Sequence, residues 1–115
     1  MKISGWKGKQ EFVELVKSNE PKLVLFAAHW CGYCSRFLEV ARNYDSPENA
    51  ELILVDTDDT DESLWDDYNI RLVPTLVVLE SGKEIFRKEA VPGPGLRELQ
   101  LVEALIYMKS QAKSN

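Results

Sequence analysis

Histidine occurs once, at His29, and cysteine twice, at Cys31 and Cys34, so a four-ligand zinc site of Cys and His cannot be completed within one chain. No metal centre and no cofactor are expected. Lys and Arg number 14 against 19 Asp and Glu, a formal net charge of -5, and such a chain lacks a phosphate-neutralising face. Nucleic acid is thereby a poor partner. The longest apolar run, Leu23 to Ala28, falls far short of a membrane span, and the opening Met1-Lys2-Ile3-Ser4-Gly5-Trp6 lacks an apolar core of signal-peptide length. The chain reads as a soluble, cytoplasmic protein with no membrane contact. Internal repeats and low-complexity tracts are also missing. What is present is 115 residues, 44% of them hydrophobic, enough for one compact domain over residues 1–115 and too few for two.

Taken in order, Ile3 to Trp6 suggests a short edge strand. Phe12, Val13, Leu15 and Val16 then fall on one face of a helix from about Lys9 to Ser18, closed by Asn19, Glu20 and Pro21. Lys22 to Ala28 is a continuous apolar run of strand length, as expected of a strand covered on both faces. It leads directly into Trp30-Cys31-Gly32-Tyr33-Cys34. Beyond the cysteines, Tyr33, Phe37, Val40, Ala41 and Tyr44 repeat at helical spacing up to Pro47, and Glu51 to Val55 reads as a second core strand.

The acidic stretch Asp56 to Glu62, with Asp56, Asp58 and Thr60 alternating and Asp67 further on, faintly suggests a calcium loop. It lacks the turn glycine, because Asp61 stands there, and reads instead as a solvated loop with an acidic start to the next helix, Asp61 to Asn69. Thr75 to Glu80, the Ser81-Gly82 turn and Glu84 to Lys88 form a hairpin. Val91-Pro92-Gly93-Pro94-Gly95 makes a stiff loop. A last helix lines up Leu96, Leu99, Val102, Leu105 and Ile106 before a polar tail from Lys109. Alternating strands and helices imply parallel crossovers, and the closing hairpin implies an antiparallel edge, so the expected class is α/β with a mixed sheet flanked by helices.

Two cysteines two residues apart, in a compartment kept reducing, suit redox or metal chemistry better than a structural link. A four-residue loop also removes little entropy from the unfolded chain. If a strand ends and a helix begins at Cys31, the helix dipole and the free amides of Gly32, Tyr33 and Cys34 favour a thiolate there. Cys34, one turn in, is expected to be more buried and to hold its proton.

Phe26-Ala27-Ala28-His29-Trp30-Cys31-Gly32-Tyr33-Cys34, followed by Ile70-Arg71-Leu72-Val73-Pro74-Thr75-Leu76, resembles the thioredoxin family, and the element order and the Ser81-Gly82-Lys83 turn extend the likeness over nearly the whole chain. The resemblance implies a thioredoxin fold and a thiol-disulfide oxidoreductase. It implies that Cys31 attacks a substrate disulfide, that Cys34 resolves the mixed disulfide, and that Pro74 is cis and faces the cysteines. Trp30, Gly32, Tyr33, Val73 and Pro74 would then contact substrate, with Trp30 a docking surface and the Val73 backbone free to pair with an extended chain. Implied partners are disulfide-containing proteins and a reducing system, either a thioredoxin-reductase-like enzyme or glutathione, with the protein acting as a monomer.

Departures from the family pattern carry their own expectations. Leu25 stands where the family has a buried Asp beneath the cysteines, and Leu54 where a Lys accompanies it; the two losses agree, since either charge alone would be stranded. A drier core and a slower resolving step follow. Tyr33 replaces the usual proline, and Gly32-Tyr33 resembles dithiol glutaredoxins, so a glutathione-dependent or iron-sulfur-cluster-binding protein is the alternative. His29 is either a cation that tunes the Cys31 thiolate or an exposed residue at a strand end. A docking domain with vestigial redox activity is a third reading, and intact Cys31 and Cys34 argue against it.

Overall fold

Strong alternation in the apolar segments gives a five-stranded sheet with helices on both faces. In the computed structural model, which describes residues 1–5, 8–46, 50–56 and 62–113, the order is β1 (Lys2–Gly5), α1 (Lys9–Val16), β2 (Lys22–Ala27), α2 (Gly32–Asn43), β3 (Glu51–Asp56), α3 (Glu62–Asp67), β4 (Thr75–Glu80), β5 (Lys83–Glu89) and α4 (Glu98–Lys113). The strands lie side by side as β1-β3-β2-β4-β5. β3 runs parallel to β1 and β2, whereas β4 runs antiparallel to both β2 and β5, which makes the sheet mixed as the hairpin required. The candidate calcium loop lies for the most part in residues 57–61, outside the described residues.

Because side chains alternate across a strand, the buried centre divides its residues between two cores. Leu23, Leu25 and Ala27 of β2 join Cys31, Cys34, Phe37, Ala41, Leu76, Val78, Leu101 and Ala104 on one face. Val24 and Phe26 join Phe12, Val16, Ile53, Val55, Leu64, Ile70, Val77 and Leu79 on the other. The central strand is thus buried on both sides, and it ends immediately before the cysteines. That position at the carboxyl end of a covered strand is where open α/β sheets carry their sites.

One helix buries a narrower stripe of its expected face, and another buries a different face from the one its spacing suggested. In α1 the core stripe is Phe12 and Val16, while Leu15 is exposed. In α4 the core takes Leu101 and Ala104, with Leu105 and Met108 packed at its edge; Leu99 and Ile106, expected to face inward, are exposed. The reason in α4 is an apolar surface that runs most of the way round, with eight hydrophobic residues from Leu99 to Met108 inclusive, so several faces fit the sheet nearly equally well by pattern. The helix also runs through Lys113 and does not stop at Lys109.

The hairpin turn puts both central residues in the left-handed region, Ser81 at φ 54° and Gly82 at φ 78°, the pairing that matches the twist of the flanking strands. Open space surrounds Gly82, so only backbone preference opposes a side chain there. Gly82→Ala is expected to cost about 1 kcal/mol in urea unfolding.

Candidate active site

The site begins with the turn that joins β2 to α2. Cys31 is the N-cap of α2, with extended backbone (φ -92°, ψ 117°), and its sulfur accepts the Cys34 N–H at 3.2 Å. A thiol thus occupies the place that Ser, Thr or Asp holds in most helix caps, at the end where the helix dipole favours negative charge. Both cysteines are free thiols. Cys31 keeps 8% of its surface and Cys34 only 1%, so the first is the one a substrate can reach.

Burial has a second consequence for Cys34. Loss of hydration, followed in size by its hydrogen bond with Cys31, pushes its pKa up to about 12 from the ordinary 9.0. The native thiol therefore keeps its proton to a higher pH than the unfolded one. The stability this confers is complete below pH 9 and lost as the pH rises toward 12. Urea melts of the reduced protein at pH 8 and pH 11 should show wild type losing about 2.5 kcal/mol more than Cys34→Ala.

The opposing wall comes from the segment before β4. The Val73–Pro74 peptide is cis, and the Val73 carbonyl lies 4.0 Å from the Cys31 sulfur. Thr75, fully buried, fixes this segment by donating from its hydroxyl to the Leu72 carbonyl at 2.8 Å. The Pro74 carbonyl in turn accepts the Ala90 N–H at 3.1 Å, tying the wall to the chain that leaves β5.

Around the thiol the structure places each residue singled out by sequence. Gly32 opens α2, and Trp30 is 68% exposed, so it is a surface aromatic and not a core one. Leu72, next to Val73 in the chain, and Val91 are exposed apolar residues as well. The His29 side chain is 73% exposed, with Nδ1 3.8 Å from the Asp56 carboxylate at the end of β3. Leu25 and Leu54 are direct partners in the β2–β3 register, and Leu25 has no exposed surface. Both belong to the same core as the two cysteines, so the position beneath the thiols is apolar.

Two parts of the site were missed. Asp56, at the start of the acidic stretch in the sequence, lies opposite Ala27 in the register and so comes to His29, and strand pairing is the signal that points to it. The other is the loop after β5. The Tyr33 hydroxyl accepts the Gly93 N–H at 3.2 Å, a contact between residues sixty positions apart, to which only the alternation of Pro and Gly in the loop gave a clue.

A family model described as Thioredoxin matches residues 6–104. The thioredoxin of Pyropia yezoensis is 33% identical over 76 residues, covering 63% of this chain and 68% of that protein. A bifunctional thioredoxin reductase/thioredoxin of Mycobacterium leprae is 29% identical over 91 residues, covering 76% of this chain and 20% of the larger protein. Among solved structures, thioredoxin from Trypanosoma brucei brucei superposes with a TM-score of 0.78 at 18% identity, covering 95% of this chain and 92% of that one. At that identity the likeness speaks for the fold.

Proposed function

This chain belongs to the thioredoxin family, consistent with a thiol-disulfide oxidoreductase, and from that premise we propose that it reduces protein disulfides through the Cys31–Cys34 couple. The observation that carries the reading is the inequality of the two thiols. One is a helix-capping sulfur with a little exposed surface; the other is sealed beneath it and holds its proton.

In the proposed reaction the Cys31 thiolate attacks one sulfur of a substrate disulfide. A Cys31–substrate disulfide forms and the other substrate sulfur leaves as a thiolate. Cys34 then gives up its proton and attacks the Cys31 sulfur, closing the Cys31–Cys34 disulfide and releasing the second substrate thiol. Two electrons pass from the dithiol to the substrate. The Val73 backbone and Pro74 form one side of the approach and Trp30 an exposed apolar surface beside it, which suits an extended segment of a folded protein. Return to the dithiol needs a two-electron donor. A thioredoxin-reductase-like enzyme is our first choice, supported by the Mycobacterium leprae relative whose name joins the two activities, with glutathione as the other. We place the protein in the cytoplasm, where such donors keep dithiols reduced.

His29 is best read as an exposed strand-end residue facing the Asp56 carboxylate 3.8 Å away. The experiment for the function is equilibration of the Cys31–Cys34 couple in glutathione buffers, beside insulin reduction with dithiothreitol. A potential near about -270 mV and rapid insulin precipitation support a reductase, while a value near about -120 mV marks an oxidant and sinks the proposal.

A further inference from the structure

Tyr33, between the two cysteines, reaches across to the Val91–Gly95 loop and is held there in three ways. Its hydroxyl accepts the Gly93 N–H at 3.2 Å. Its ring lies so close to Gly95 that a Cβ on that residue would stand 2.7 Å from Tyr33 Cδ1, nearer than real Cβ atoms come to a neighbour. The Arg36 guanidinium, one turn along α2, also sits 5.2 Å from the ring centroid.

The loop is made to receive this ring. Gly93 and Gly95 both hold positive φ, at 92° and 68°, and the absent side chain at Gly95 is what admits the aromatic face. Pro92 and Pro94 stiffen the backbone and carry no N–H. Gly95 donates its own N–H to the Val91 carbonyl at 2.8 Å, so Gly93 has the last free amide of residues 92–95 and Tyr33 takes it. At its base the loop is tied to Pro74 through Ala90. One side chain thus bridges the redox turn and a loop anchored to the opposing wall.

We propose that Tyr33 is a specificity-determining residue, latched over Gly95 so that its ring narrows the approach to Cys31 on the loop side and not on the side of Val73, which keeps part of its surface. The proposal rests on the disulfide-reductase reading and adds to it the class of substrate. Disulfides on narrow, extended segments pass, and those with a bulky side chain next to the attacked cysteine are turned away until the tyrosine is dislodged. Steric rejection of this kind discriminates modestly, because a fixed ring excludes volume and leaves no buried polar group unpaired.

The test uses the reduced protein and two peptide disulfides, identical except for Gly or Trp after the cysteine, under single-turnover conditions. Wild type is expected to reduce the Gly peptide about tenfold faster than the Trp peptide. Tyr33→Ala, which removes the ring, and Gly95→Ala, whose methyl displaces it, should both bring that ratio close to one. Tyr33→Phe keeps the ring and loses only the hydroxyl latch, so it should fall between, at about threefold. A wild-type ratio near one, a faster Trp peptide, or a wild-type ratio retained in Tyr33→Ala would overturn the proposal while leaving the reductase reading intact. If wild type reduces neither peptide nor insulin, the reductase reading itself fails, and the gate with it.

Discussion

Decay of the Cys31 mixed disulfide through Cys34 is expected to quicken about tenfold for each unit of pH between 7 and 10. Burial, the largest cause of the raised Cys34 pKa, persists in the mixed disulfide although the contribution of the Cys31 thiol does not, so the resolving thiolate stays scarce at neutrality. The proposed first attack is made by the more exposed sulfur, at the capped helix end. The two steps can therefore be separated with a chromogenic aromatic disulfide, which releases one thiol on each. Wild type should give a fast first release and a second whose rate climbs steeply with pH, and Cys34→Ser should give the first release alone. A second phase that is flat from pH 7 to 10 would mean that a group near Cys34 takes the proton, and the plain buried-thiol account would be wrong.

Leu25→Asp should change stability and mechanism in opposite directions. Leu25 is fully buried, pairs in register with Leu54 and shares a core with Cys34, so a carboxylate there loses its hydration with no cation to meet it. An uncompensated buried charge of this kind costs about 3–5 kcal/mol, which urea unfolding at pH 8 will read. The same carboxylate would share a core with Cys34 and is expected to accept its proton. A positioned base contributes on the order of a hundredfold, so the second release should accelerate by about that factor at pH 8 and lose much of its pH slope. Leu25→Asn, polar and without basicity, should share most of the stability loss and none of the acceleration, and adding Leu54→Lys to Leu25→Asp should recover part of the stability. If Leu25→Asp leaves the second phase unchanged, the missing base lies elsewhere and the slow step has another cause.

Together these outcomes describe a family member whose first thiol is set up in the common way and whose second is not. An apolar floor avoids the cost of a buried ion pair and offers Cys34 no proton acceptor at Leu25 or Leu54, while the Asp56 carboxylate acts on Cys34 only through its charge. The first consequence favours stability, and the second slows turnover.

Much of this was legible in the chain itself, because the signals were local. A strand buried on both faces needs an uninterrupted apolar run, and Lys22 to Ala28 is one. A hairpin turn with two left-handed residues needs something like Ser81-Gly82 between two apolar strands. Cys31 and Cys34 needed only their spacing and the strand before them, and Leu25 and Leu54 were visible as departures because they stand at fixed distances from that motif. Tertiary structure decided the rest. Which face of α4 meets the sheet depends on the shape of the surface it packs against, since its apolar residues offer several; the structure chose Leu101 and Ala104 over Leu99 and Ile106. His29 met Asp56 through strand register, and Tyr33 met Gly93 and Gly95 through a loop sixty residues away. Those contacts join parts of the chain that share no periodicity, so no local pattern announces them. What the sequence determined by itself is the pair of thiols and the strand and helix that hold them; what only the folded chain decided is the surroundings of that pair, because they are assembled from distant segments by the sheet.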